Sequence, residues 1–154
     1  MTQNQKADPV REFLVIGYGN ELRGDDGVGP KVAAAVDALH LPGVHTLICQ
    51  QLSPEHAEPV SQARVVVFVD AAVDAPREVL LRALEPAGSS QLMAHAADPR
   101  TMLALARDVF GHCPEGWWLT IPAKDTGFSE DLTPEAQRGL EEAVEKIQAL
   151  CTER

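Results

Sequence analysis

The chain has 154 residues, which suits one domain, since domains typically hold about 100–150 residues. Its formal net charge of -10 and pI near 4.8 exclude binding of a polyanion through a diffuse basic surface, so no nucleic-acid partner is expected. No apolar run approaches the ~20 residues of a membrane span, and the polar opening Met1-Thr2-Gln3-Asn4-Gln5-Lys6 has no signal-peptide core; a soluble cytoplasmic protein without a membrane partner is expected.

Residues 1–11 lack periodicity and read as a flexible leader to one α/β domain over 12–154. The first strand spans roughly Glu12 to Gly17 and runs into the turn Tyr18-Gly19-Asn20-Glu21-Leu22-Arg23-Gly24-Asp25-Asp26-Gly27. Val28, Val32, Val36 and Leu39 then recur at helical spacing, and Pro30 is tolerated because it falls in or near the first turn. Leu41-Pro42-Gly43 ends that helix, and Val44 to Cys49 reads as a second strand.

Ser53-Pro54-Glu55, Asp98-Pro99 and Thr133-Pro134-Glu135 each place a capping side chain before a proline, the grammar of a helix start. Val65 to Val69 is a continuous β-branched and aromatic run, typical of a strand buried on both faces of a parallel sheet. Glu78 to Ala83 and Trp117 to Ile121 are further strands. The last helix is expected to bury Leu140, Val144, Ile147 and Cys151 and to turn Glu141, Glu142, Glu145 and Lys146 to water.

The order β-α-β-α-β-β-α-β-α predicts a single-domain, three-layer α/β sandwich. Its sheet should have about five strands, mostly parallel, with at least one antiparallel. The odd set Cys49, Cys113 and Cys151 contains no Cys-x-x-Cys pair and reads as reduced, partly buried thiols rather than a zinc site.

Candidate chemistry lies where strands end, because ligands in open α/β sheets bind at the carboxyl ends of the strands. Asp25 and Asp26 stand where the first helix begins, and either could serve as its N-cap; two adjacent acids exceed what a cap needs, leaving one to face a ligand. Asp70 follows the five apolar residues of the third strand, and His95 lies between the fourth strand and the third helix. A strand-end aspartate can merely begin a turn, and a loop histidine can be a surface residue, as His40, His45, His56 and His112 illustrate.

Together, Asp26, Asp70 and His95 would offer two carboxylates and an imidazole, a set that suits a divalent transition metal. Other templates fail. Leu22 replaces the third glycine of a dinucleotide fingerprint and two acids stand where a pyrophosphate would sit, while no Gly-x-Ser-x-Gly or His-Glu-x-x-His motif is present.

The pattern Gly17-x-Gly19-Asn20-x-Leu22-x-x-Asp25-Asp26-x-x-Gly29 resembles the signature of the hydrogenase maturation proteases. Val69-Asp70-Ala71, the His95 loop and Leu132-Thr133-Pro134 follow in that family's order, so the resemblance runs from about Phe13 to Leu150. It implies a cytoplasmic endopeptidase, monomeric, that removes the C-terminal extension of a nickel-iron hydrogenase large-subunit precursor after nickel insertion. Asp26, Asp70 and His95 would be the metal-contacting and catalytic residues, with the nickel supplied by the substrate. Asp25 would be a structural neighbour.

His56 stands where the family often has leucine, and Lys124-Asp125-Thr126-Gly127 departs from its commoner wording. Gln51-Leu52-Ser53-Pro54-Glu55 resembles the version in proteases of soluble, multisubunit hydrogenases. A non-catalytic metal-sensing chaperone of hydrogenase assembly is the alternative.

Overall fold

The computed structural model describes residues 11–73, 77–88 and 98–153. Strands β1 (Arg11–Tyr18), β2 (Val44–Cys49), β3 (Ala63–Ala72), β4 (Leu80–Leu84) and β5 (Glu115–Pro122) form one sheet in the order β2-β1-β3-β5-β4. All neighbours are parallel except β4, which runs antiparallel to β5 along the edge. Helices α1 (Val28–Ala38), α2 (Ala57–Ser61), α3 (Pro99–Phe110) and α4 (Pro134–Glu153) complete the expected order.

Strand alternation divides the core into two slabs. Phe13, Val15, Val65, Val67 and Val69 pack against α1 and α4, whereas Leu14, Ile16, Val66 and Phe68 pack against α2 and α3. Because both faces of β3 are covered, every residue from Val65 to Val69 is fully buried, which explains its unbroken apolar run. The three cysteines are free and half-buried, as expected.

Some expectations shift. The leader lies outside the described residues except for Arg11, which already belongs to β1. The start marked by Ser53 yields a 3-10 turn over Pro54–His56 and only the short α2, because Pro59 withholds a helical N–H one turn later. Ser53 N donates to His56 Nδ1 at 3.0 Å, so His56 supplies the back-reaching half of a capping box.

The buried stripe of α4 is Ala136, Gly139, Ala143, Ile147 and Leu150, with Leu140, Val144 and Cys151 on its flank. Small residues lead because the helix lies close to β5: a Cβ on Gly139 would come within 2.6 Å of Ile121 Cγ2. Glu141, Glu142 and Glu145 face water as expected.

Candidate active site

The parallel strands β1, β3 and β5 finish on one side of the sheet, and the turn after β1 lies directly on their ends. A Cβ on Gly17 would collide with the Gly29 carbonyl, and one on Gly29 would stand 2.6 Å from both Tyr18 O and Val69 O. Backbone therefore rests on backbone across the β1–β3 seam. These glycines let the start of α1 approach the strand backbones this closely.

Neither acid caps α1. Asp25 and Asp26 occupy a 3-10 turn over Gly24–Gly27, and Gly27 is the N-cap of α1, with no side-chain bond. The carboxylates are drawn elsewhere by stronger partners.

Asp25 is fully buried, and its carboxylate gathers four hydrogen bonds from the far end of the chain. Oδ1 accepts from Thr133 N at 2.8 Å; Oδ2 accepts from Thr133 Oγ1 at 2.8 Å, Lys124 N at 2.8 Å and Asp125 N at 3.2 Å. Burial alone pushes the Asp25 pKa up, but the donors on Thr133, Lys124 and Asp125 outweigh it and hold the carboxyl below its ordinary value. Fully buried and engaged through both oxygens, Asp25 is a structural anchor rather than a group that faces a ligand.

Asp26 points the other way and is half-buried. Its Oδ2 accepts from Asn20 N at 2.7 Å and closes the turn, while Oδ1 has no hydrogen-bond partner among the described residues.

Asp70 lies within β3, opposite Thr120, two residues short of the strand's end rather than directly after it. By alternation it shares the face of Phe68 and Tyr18, and the Tyr18 hydroxyl donates to its Oδ2 at 3.1 Å. Burial raises the Asp70 pKa to about 6; hydrogen bonds from Tyr18 and the Ala71 N–H restrain the rise, and the nearby charge of Asp26 adds to it. Burial, then Asp70, push the Tyr18 phenol far above its ordinary value.

His95 lies outside the described residues. The described chain resumes shortly after it at Asp98, which caps α3 by accepting from Arg100 N at 2.8 Å and whose charge is felt at the Tyr18 hydroxyl. Among the described residues no three His, Cys, Asp or Glu side chains gather in metal-binding geometry. The structure thus brings together Asp26 and Asp70, two of the three expected groups. Sequence reasoning missed Tyr18 as the orienting partner of Asp70, although a tyrosine at the polar end of a buried strand is a usable signal.

Such an arrangement can hold a cation or exchange a proton. Two carboxylates on one rim repel each other and Asp70 resists ionising; a positive charge placed between them would relieve both costs.

No protein-family model matches the sequence, and no curated protein matches it. Solved structures do. The NiFe hydrogenase maturation protease HybD from Thermococcus kodakarensis is 25% identical, with a TM-score of 0.67 over 90% of this chain and 98% of that one. The hydrogenase maturating endopeptidase HybD from E. coli is 20% identical, with a TM-score of 0.70 over 92% and 93%. The NiFe hydrogenase maturation protease HycI from Thermococcus kodakarensis KOD1 is 21% identical, with a TM-score of 0.70 over 89% and 90%. The chain thus shares the fold of these hydrogenase maturation proteases along most of its length, and it carries Gly17-x-Gly19-Asn20-x-Leu22-x-x-Asp25-Asp26 at the turn that builds the site.

Proposed function

We propose that this chain is an endopeptidase that removes the C-terminal extension of a nickel-iron hydrogenase large-subunit precursor once nickel is in place. Asp26, Asp70 and His95 contact the metal that the precursor carries, and the protease, a cytoplasmic monomer, keeps none of its own. The observation that carries this reading is Asp70 itself, held by Tyr18 at the carboxyl end of the sheet and made harder to ionise by burial, with the Asp26 charge adding to it, a setting that favours an incoming cation. The structurally similar hydrogenase maturation proteases support a processing role in hydrogenase maturation.

The donor set fits a borrowed rather than a resident metal. Two carboxylates without a thiolate form a weak site for a divalent transition ion, and Asp26 Oδ1 has no hydrogen-bond partner among the described residues. Nickel arriving with the precursor would supply positive charge beside the scissile peptide and polarise its carbonyl. Tyr18 fixes the rotamer of Asp70, and Asn20 N fixes Asp26, so the two acids are set before the substrate arrives. With a pKa of about 6, Asp70 is suited to accept a proton from an attacking water.

The test is the mass of the precursor's C-terminus after incubation with the protein, with and without nickel loaded. Cleavage of the loaded form alone is expected, and Asp26→Ala, Asp70→Ala or His95→Ala should abolish it while leaving the fold intact. Full cleavage by Asp70→Ala overturns the site; efficient cleavage of nickel-free precursor overturns metal recognition. A precursor that is bound but never cut favours the non-catalytic chaperone.

A further inference from the structure

Phe128 is 87% exposed, and it sits on a loop whose backbone is anything but loose. Between β5 and α4, Lys124 N and Asp125 N donate to Asp25, and Asp125 O accepts from Asp25 N at 2.8 Å. Thr126 O accepts from Arg23 Nε at 3.0 Å, and Ser129 O accepts from Gly24 N at 2.7 Å. Ser129 N donates to Leu22 O at 2.9 Å, which brings Phe128 alongside Leu22, itself 50% exposed.

Single exposed apolar residues are ordinary, but here two large ones from distant parts of the chain are held together on the turn that carries Asp26. Their surroundings are acidic on balance, with Arg23 an exposed cation beside Leu22. Asp125, Glu130 and Asp131 are exposed and make no salt bridge among the described residues, whereas the loop's cation, Lys124, is engaged by Glu135 at 3.2 Å.

We propose that Leu22 and Phe128 form a preset docking step for the polypeptide substrate, receiving an apolar side chain that is flanked by Lys or Arg. The inference rests on the endopeptidase reading and deepens it by assigning a specificity surface outside the cleavage centre. Charge complementarity selects the flanking basic residues, and the anchored loop avoids the ordering cost of a flexible one, as expected for an aromatic anchor.

The experiment measures both binding and cleavage of the nickel-loaded large-subunit precursor encoded in the same genome. Phe128→Ser should raise Kd and KM about tenfold while kcat stays within about twofold and the melting temperature is unchanged. Phe128→Leu should retain most of the affinity. The double variant Glu130→Lys/Asp131→Lys should weaken binding and flatten its salt dependence.

An unchanged Kd for Phe128→Ser overturns the proposal, as does a loss confined to kcat. If the unmodified protein binds the precursor without cutting it, the endopeptidase reading fails and docking is still decided by the Kd comparison. If it does not bind, both fall.

Discussion

Thr133 donates both its backbone N–H and its hydroxyl to Asp25, 108 residues away in sequence, each at 2.8 Å. The same hydroxyl oxygen accepts from Ala136 N at 3.2 Å, so one threonine caps α4 and anchors the acidic turn. Asp25→Ala should therefore cost about 3–5 kcal/mol, because it removes a buried carboxylate and with it the acceptor shared by the Lys124, Asp125 and Thr133 donors. Asp25 has a lowered folded-state pKa, so its contribution is complete above the ordinary carboxylate pKa and is lost as pH falls through the folded value. Urea titrations from neutral to acid pH should show the variant missing that acid-side loss.

Asp70 behaves with the opposite sign. Its folded pKa of about 6 exceeds the unfolded one, so the native state holds the proton more tightly and metal-free stability falls as pH rises between roughly 4 and 6. Asp70→Asn should accordingly stabilise the metal-free protein by roughly 1–2 kcal/mol at pH 8 and by little at pH 4. Thermal melts of the two proteins across that range check it. A variant both more stable and inactive would mark Asp70 as a group kept for its chemistry.

Removing the phenol in Tyr18→Phe deletes the hydrogen bond that restrains Asp70. The Asp70 pKa should move further up, read from the carboxyl carbon shift in an NMR titration. Cleavage should then need a higher pH to reach half its maximum.

Gly24 has φ +57, and a Cβ there would stand 2.5 Å from the Asp125 carbonyl. Gly24→Ala should cost about 2 kcal/mol and speed hydrogen exchange at the Lys124 and Thr133 amides. Gly88→Ala, where an added Cβ meets nothing within 4 Å among the described residues, is the neutral control.

Periodicity and proline-marked caps were enough to read the strand and helix order, because each depends on neighbours within a few residues. Asp98 and Thr133 both cap as their positions suggest. On α4, Ile147 is buried as expected and Leu140, Val144 and Cys151 pack at the edge of the core, while close approach to β5 selects Gly139 and Ala143 for the centre of the stripe. The division of labour between Asp25 and Asp26 was legible only through the resemblance. Two of Asp25's partners are backbone amides of Lys124 and Asp125, which any residue but proline supplies, so their identities carry no signal. For the same reason the unusual wording of Lys124-Asp125-Thr126-Gly127 leaves the anchor intact.

The anchor also sets an order of events during synthesis. The turn bearing Asp25 and Asp26 leaves the ribosome early, yet Asp25 finds no donor for its carboxylate until Lys124, Asp125 and Thr133 have followed. A nascent chain stalled before that point would hold Tyr18, Asn20, Asp26 and Asp70, the partners of the two site bonds, while the Asp25 carboxylate still lacked its donors.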